Sequence, residues 1–334
     1  MRAIVVREFG GPEVLRIEEV PDPAPGAGEL LVRVAAAGIQ FIETQTRTGT
    51  LQGVSPVAPK SLPWTPGREV AGEVLAVGGG VSADWIGRRV SGVTVPTADG
   101  PGGGYAELAV VQAEGSHQLP DTLDYADAVS LLGTGRTALG LVEQAEVGKG
   151  DTVLVEGATG AVGVLSMQLA RAAGAERVIA LVRGTEKAQL AKDFGADIAV
   201  DTSADDWPEQ VRAAAPDGVT VVFDGVGGEF GATTFELVTR GGRFVIFGFS
   251  SGTMTKVDPE HAAERGVSVL SYFGPPTGPR GPEVLLRQSR DVLAAVAEGR
   301  LRTLVGTRFP LDQAAQAHAA IAARRTTGKT VLEP

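Results

Sequence analysis

A valine-rich run, Thr152–Glu156, leads through Gly157-Ala158-Thr159-Gly160-Ala161-Val162-Gly163 into an apolar helical pattern. Residues of these types at this spacing can hold an anion. A buried strand would deliver the chain to Gly160, where the missing Cβ lets backbone approach a pyrophosphate, and the N–H groups opening the next helix would point at it. Gly163 would let that helix sit close against its strand. Ala158 takes the first glycine position of G-x-G-x-x-G, so the string is a variant of the dinucleotide fingerprint. Alone it is equally a glycine-rich strand-to-helix turn, but its flanks favour the nucleotide. Val164, Leu165, Leu169 and Ala172 recur at helical spacing, Gly174 ends the pattern, and Arg177–Val182 reads as the next strand.

The residues just past that strand bear on the type of cofactor. An NAD site usually places Asp or Glu about 20 residues past the fingerprint, on the ribose 2′-OH. Here the strand leaves through Val182-Arg183-Gly184-Thr185-Glu186-Lys187. Arg183 at its tip suits the 2′-phosphate of NADPH, and charge-assisted hydrogen bonds of roughly 1.5–3 kcal/mol each would give the preference. Read without a ligand, Arg183 and Lys187 are solvated charges opening a helix, where cations are mildly unfavourable.

The surrounding composition is that of a globular protein of two domains: 334 residues, 43% apolar and 21% charged. A net charge of −10 offers no general attraction to nucleic acid or an anionic membrane, so phosphate binding must be local. No apolar run approaches the roughly 20 residues of a membrane span, and the N-terminus carries no secretory pattern, so a cytoplasmic protein is expected. With zero cysteines the chain forms neither disulfides nor thiolate metal sites. His117, His261 and His318 lack metal-ligand spacing and read as structural or surface residues.

Short β-like runs divided by Gly and Pro fill the first 120 or so residues: Ala3–Val6, Leu15–Val20, Glu29–Ala35, Val70–Val77, Arg89–Val95 and Tyr105–Val111. They suit a small barrel or sandwich. From about residue 125 the period changes, with Asp127–Leu132 and Thr137–Gln144 reading as helices. Strands and helices then alternate through Thr152–Glu156, Val164–Ala173, Val178–Val182, Glu186–Phe194, Ile198–Val200, Trp207–Ala214, Val219–Phe223, Phe230–Val238 and Arg243–Phe247. This alternation implies a doubly wound parallel sheet. Beyond residue 265 come Val267–Phe273, a Pro/Gly-rich loop at Gly274–Pro282, a long helix ending near Gly299, a strand Thr303–Phe309, a helix Leu311–Arg324 and a strand Lys329–Leu332. The expected domains are residues 1–124, 125–264 and a C-terminal segment, 265–334, that completes the first.

Several strings in this order resemble the zinc-free quinone oxidoreductase branch of the medium-chain dehydrogenase/reductase superfamily. They are Pro25–Val34, Gly38–Thr44, Pro66–Gly72, the Ala158–Gly163 turn, Phe223-Asp224-Gly225-Val226-Gly227-Gly228 and Thr326-Thr327-Gly328-Lys329, and they span essentially the whole chain. The resemblance implies an α/β fold in which a GroES-like β-barrel catalytic domain accompanies a Rossmann domain, with the active site in the cleft between them. It also implies a homodimer formed through the edges of the Rossmann sheets. Gln40 stands where zinc-dependent relatives have a cysteine ligand and quinone reductases usually have asparagine; Arg68 stands at a histidine ligand's position. Neither can build a thiolate–imidazole site, so no catalytic metal is expected. The family's Arg-x-Gly-x-Tyr appears here as Arg47-Thr48-Gly49 followed by Thr50 in place of tyrosine.

The same resemblance assigns cofactor contacts to Thr137, to the turn residues Ala158, Thr159, Gly160, Ala161, Val162 and Gly163, to Lys187, to Thr202 at a tyrosine position, to Gly248 and to Lys329, with Arg183 at a usual serine position. Thr137 is equally a helix cap or part of a turn, and Lys329 equally a solvated terminal lysine. The implied reaction carries hydride from NADPH to a quinone or conjugated carbonyl, whose oxygen then gains negative charge and needs donors. Gln40 is the leading donor, with Arg47 and Thr50 as helpers. Glu43 and Arg47, four apart, read instead as a helix-surface ion pair, and Arg68 and Glu69 as barrel stabilisers. Phe41, Trp64, Phe249, Tyr272 and Phe273 could line an apolar slot or belong to the core. An enoyl or enone reductase and a non-catalytic NADPH-binding protein are the competing readings.

Overall fold

The computed structural model describes residues 1–53, 58–59, 61–95, 102–273 and 281–334. These fall into two compact units, Met1–Gly133 with Leu304–Pro334, and Thr134–Thr303. Among the described residues no helix is long and apolar enough to cross a membrane.

The first unit opens with a hairpin of β1 (Arg2–Val5) and β2 (Arg16–Glu19), then runs through β3 (Glu29–Ile39), α1 (Phe41–Arg47), β4 (Glu69–Val77), β5 (Arg89–Val93), β6 (Leu108–Gln112), β7 (His117–Gln118) and α2 (Tyr125–Val129). Alternating apolar residues turn one face of these strands inward, where Leu30, Val32, Val70, Val74, Val90 and Val111 pack in one core. β3 is the hub, pairing antiparallel with β4 and with β6. The Asp124 carboxylate accepts from the Ala126 N–H at 2.9 Å and starts α2, which stays with the strands that it packs on.

In the second unit α3 (Gly133–Gln144), whose first residue still belongs to the first unit, precedes β8 (Thr152–Val155), α4 (Ala161–Ala172), β9 (Arg177–Val182), α5 (Thr185–Asp193), β10 (Ile198–Asp201), α6 (Trp207–Ala214), β11 (Val219–Asp224), α7 (Gly228–Phe235), β12 (Val238–Ile246), α8 (Pro259–Arg265), β13 (Ser268–Ser271) and α9 (Pro282–Ala297). The strands form a parallel sheet in the order β10-β9-β8-β11-β12-β13. In that order the direction of winding reverses between β8 and β11, the switch point at which open α/β sheets bind ligands outside the strands' carboxyl ends.

The chain then returns to the first unit through β14 (Val305–Pro310), α10 (Ala314–Ala322) and β15 (Lys329–Glu333). β15 pairs antiparallel with β3, and Leu311, Ala314, Ala317 and Leu332 enter the barrel core. The expected boundaries at 124 and 265 are thus displaced. Residues 265–303 remain with the parallel sheet because β13 extends it beside β12, and only the last segment goes back. α8 is absent from the expected elements, although Asp258 caps it and Gly266 closes it with φ 64°. β12 starts at Val238, ahead of the expected Arg243, and the expected helix over Phe230–Val238 ends at Phe235. Most of the expected Gly274–Pro282 loop lies outside the described residues.

The close pairing of β3 and β4 depends on Gly72, where a Cβ would run into the Arg33 carbonyl of the neighbouring strand. Overpacking of this kind typically costs about 1–3 kcal/mol. Gly72→Ala is therefore expected to lower the urea midpoint with little change in the slope of unfolding, and an unaltered midpoint would show that β3 and β4 yield freely there.

Candidate functional site

At the switch point the anticipated turn takes shape. Gly157 has φ 55°, a conformation that favours glycine, and Gly160, with φ −75° and ψ 165°, caps α4. The Gly160 N–H donates to the Gly157 carbonyl at 2.8 Å, while the Ala158 N–H donates across to Leu181 of β9 at 3.2 Å. Ala158 and Thr159 are buried, and Ala161 and Val162 half-buried. The methyl group of Ala158 is thus accommodated where the fingerprint has its first glycine. A Cβ on Gly163 would lie 2.7 Å from both the Ala158 Cα and the Gly157 oxygen, so helix and turn approach as closely as only glycine allows. The first N–H groups of α4 lack intrahelical acceptors, as at any helix start, and carry the positive end of the helix dipole. Gly163→Ala is expected to weaken NADPH binding at least about tenfold by pushing α4 off the turn; titration calorimetry giving a wild-type Kd would contradict this.

Arg183, Lys187 and Thr202 come together at the ends of β9 and β10. Arg183 is exposed and Lys187 half-buried in the first turn of α5. The Thr202 N–H and hydroxyl both donate to the Val182 carbonyl, at 2.8 and 3.1 Å, which sets Thr202 beside the exit of β9. Sequence reasoning misses Asp201. Its Oδ1 accepts from the Gly184 N–H at 2.9 Å and the Ser203 N–H at 3.0 Å. Those bonds, with a smaller contribution from the Arg183 charge, hold this carboxyl below the usual carboxylate range. The available clue is Asp201-Thr202-Ser203, a string suited to a side-chain-to-backbone turn.

Beneath the turn lies a buried pair of carboxyls. Glu156 follows β8, Asp224 ends β11, and both are essentially inaccessible. Glu156 accepts from the Thr234 hydroxyl at 2.5 Å and the Val226 N–H at 3.0 Å; Asp224 accepts from the Thr255 hydroxyl at 2.5 Å and the Gly227 N–H at 2.8 Å. Burial first, then Asp224 through its charge and a side-chain hydrogen bond, raises Glu156 well above the ordinary carboxyl range. Glu156 thus keeps its proton to higher pH than an ordinary glutamate. The Asp224 carbonyl also accepts from the N–H groups of Phe247 and Gly248, at 2.9 and 3.1 Å, and Gly248 packs on Gly225 so closely that a Cβ would lie 2.5 Å from its oxygen. In the sequence Asp224 serves only to mark the family. Thr137, half-buried, lies inside α3, which rules out the helix-cap role. Tyr272 is buried against Gly140 and belongs to the core, whereas the rings of Phe249 and Phe273 stand 6.1 Å apart.

The barrel unit carries the second group of candidates. Gln40 caps α1, and the Glu43 carboxylate accepts from the Gln40 N–H at 2.8 Å. The anticipated Glu43–Arg47 surface pair is not found, because both residues are buried on separate partners. Glu43 also accepts from the N–H groups of Gly67 (3.1 Å) and Arg68 (3.0 Å) and from the Tyr105 hydroxyl (2.9 Å). Arg47 donates to the Gly10 carbonyl at 3.1 Å and its guanidinium lies 3.3 Å from His318 Nδ1. The guanidinium is thus engaged inside the barrel. Thr50 is exposed, its hydroxyl 2.7 Å from that of Thr48 beyond the end of α1. About 10 Å of helix separates it from Gln40.

Lys329 is likewise not a solvated lysine. It is buried, with Nζ 3.2 Å from Glu69 Oε2, and Glu69 Oε1 accepts the Gly133 N–H at 2.6 Å. Gln40 Nε2 lies over Gly133, 2.8 Å from where a Cβ would be. Arg68 is exposed, Phe41 and Trp64 half-buried, and Trp64 packs against the barrel core. Among the described residues no group of three or more His, Asp or Glu side chains could hold a metal ion.

Burial, together with the nearby Arg47 charge, pushes the His318 ring down from 6.5 to about 3. Between those pH values the unfolded chain binds a proton that the folded barrel refuses, so this residue makes stability rise with pH. In His318→Gln that contribution is absent, and urea titrations from pH 4 to 7 are expected to show a smaller gain than in the wild type. Equal gains would place the titration elsewhere.

Two family models match the chain: the alcohol dehydrogenase GroES-like domain over residues 26–121 and the zinc-binding dehydrogenase over residues 161–285. Quinone oxidoreductase from Pseudomonas aeruginosa is 36% identical over 331 residues, covering 98% of this chain and 97% of that protein. The chain belongs to the quinone oxidoreductases of the medium-chain dehydrogenase/reductase superfamily. Rat quinone oxidoreductase is 32% identical, covering 95% of this chain and 93% of its own. Among solved structures, a mycobacterial protein complexed with NADPH superposes with TM-score 0.87 at 36% identity, covering 100% of both chains. Escherichia coli quinone oxidoreductase complexed with NADPH gives TM-score 0.87 at 29% identity, also covering 100% of both. The two family models thus divide as the fold does, with the GroES-like match on the barrel and the dehydrogenase match across the parallel sheet.

Proposed function

We propose that this protein is an NADPH-dependent oxidoreductase that reduces quinones or related conjugated carbonyls without zinc. The observation that carries the reading is the glycine-tight turn at the switch point of the parallel sheet, with a cationic exit from the next strand. Its family membership and the NADPH held by solved relatives support it.

The first N–H groups of α4 hold the pyrophosphate, Arg183 and Lys187 meet the 2′-phosphate, and Thr202 borders that pocket. Thr137 and the Gly248 loop contribute further cofactor contacts. NADPH supplies the hydride. The protein's part is to fix the acceptor's position and to stabilise the oxygen on which negative charge grows. The Gln40 amide at the head of α1 donates to that oxygen; water returns the proton. With hydride on the β-carbon of the conjugated carbonyl and one proton on its oxygen the product is an enol, which tautomerises to the saturated carbonyl; from a quinone the same addition gives a tautomer of the hydroquinone. We further assign the protein to the cytoplasm as a homodimer, a state supported by β13 at the edge of the sheet with Val269 exposed.

Removing both cations, Arg183→Ala with Lys187→Ala, is expected to raise the NADPH Michaelis constant about 10²-fold or more while leaving that for NADH within about twofold. Equal losses for both coenzymes would refute the 2′-phosphate role. Gln40→Leu is expected to lower kcat about 10²-fold, the scale of one lost oxyanion donor, with NADPH affinity retained. Initial rates with a quinone and with an α,β-unsaturated ketone or thioester assign the acceptor. Turnover of only the latter would make the protein an enone reductase, and no turnover of either would leave a binding protein.

A further inference from the structure

The barrel contains a directed string of hydrogen bonds that the hydride-transfer reading leaves unused. It begins at Arg47, whose guanidinium can only donate and lies 3.3 Å from His318 Nδ1. That nitrogen must therefore accept, and in the neutral ring the proton sits on Nε2, 3.1 Å from the Tyr105 oxygen. The tyrosine oxygen accepts there and sends its own O–H to Glu43 at 2.9 Å. The opposite sense would set an N–H of His318 against an N–H of Arg47, which is repulsive. Burial, by keeping His318 neutral, preserves the order.

The string ends on a carboxylate whose remaining donors are all backbone. They come from Gln40 at the head of α1 and from Gly67 and Arg68 before β4. Each hydrogen-bond partner given for Glu43 is a donor, and the carboxylate joins two segments that are distant in sequence. Rotation of this carboxylate would break at least one of these bonds and release the head of α1.

We propose that Arg47, His318 and Tyr105 are positioning residues that orient Glu43 and through it fix Gln40, the group that polarises the acceptor carbonyl. The proposal rests on the role given to Gln40 above. It makes three residues far from the reacting atoms contribute to turnover without contributing to cofactor affinity.

The test uses Tyr105→Phe, His318→Leu and His318→Gln in the full-length enzyme. Tyr105→Phe and His318→Leu are expected to lower kcat about tenfold while the NADPH Kd stays within about twofold. His318→Gln can accept from Arg47 through Oε1 and donate to Tyr105 through Nε2, so it should recover kcat to within about threefold of the wild type. Combining Tyr105→Phe with Gln40→Leu should produce no loss beyond Gln40→Leu alone, because both act through one group. Additive losses, equal impairment of the Gln and Leu variants, or a folded Tyr105→Phe enzyme with wild-type kcat would each overturn the proposal. Amide exchange separates this from the function itself: in Tyr105→Phe the Gln40 N–H should exchange faster even if no acceptor is ever turned over. Unchanged exchange at Gln40 would overturn the positioning role, whereas absence of turnover in the wild type would overturn only the reaction. Should His318→Leu fail to fold, Tyr105→Phe and its double variant decide the matter.

Discussion

A buried carboxylate is tolerable only when donors or a cation surround it, since an unpaired one costs many kcal/mol. Each of the two units is organised around this constraint. Glu43, Glu69, Glu156 and Asp224 are all buried at 3% exposure or less, and each holds at least one backbone N–H of a turn or helix start. The turns and helix starts that carry the candidate residues are thereby fixed by buried acids. Gln40 is held by Glu43, the start of α3 by Glu69, and the turns after β11 and β12 by Glu156 and Asp224. Loops are ordinarily the softest parts of a fold, and anchoring them from beneath gives a site pre-organised geometry.

The four acids balance their charge by different means. Glu69 uses Lys329, a full countercharge at 3.2 Å. Glu43 relies on four neutral donors, aided at longer range by the Lys329 charge, and burial still pushes its carboxyl above the ordinary range. Glu156 and Asp224 have hydroxyl and N–H donors, and burial beside Asp224 raises Glu156 well above the ordinary carboxyl range. Two adjacent ionised carboxyls repel where the turns converge, and that repulsion adds to burial in raising Glu156. On the surface the rule relaxes. Asp201, half-buried at the sheet's edge, is stabilised as an anion by local N–H donors, which lets it sit near Arg183 while its Oδ1 remains engaged with backbone.

Periodicity makes the parallel sheet legible. Each of β8 to β11 lies within a residue or two of its expected place because a strand covered on both faces must be apolar along its length, and Val178–Val182 can hardly be anything else. β12 is harder, since Gly241-Gly242 interrupts the apolar run and the pairing of β11 with β12 shifts register near Val219. Asp258-Pro259 and Gly266 carry the start and stop of α8, but few apolar residues lie between them to signal a helix. The nucleotide turn can be read because its requirements are backbone ones, and glycine spacing records those directly. Buried polar networks leave no such trace. Tyr105 and His318 are 213 residues apart, and only the return of α10 to the barrel brings them together.

Glu43 shows most clearly why local reading fails. On an isolated helix a glutamate four residues before an arginine is an ion pair by default. That inference assumes that α1 has a solvated face, and the assumption fails because α1 packs against α10 while its own head meets the turn at Gly67. Once the helix is enclosed, both side chains must find partners within reach: glutamate turns to its own N-cap and arginine to a histidine from the far end of the chain. The spacing that suggests a pair instead places an acceptor at the head of α1 and a donor at its tail, with Tyr105 and His318 connecting them. The same carboxylate also joins two segments distant in sequence, since it accepts the backbone N–H groups of both Gln40, at the head of α1, and Arg68, just before β4.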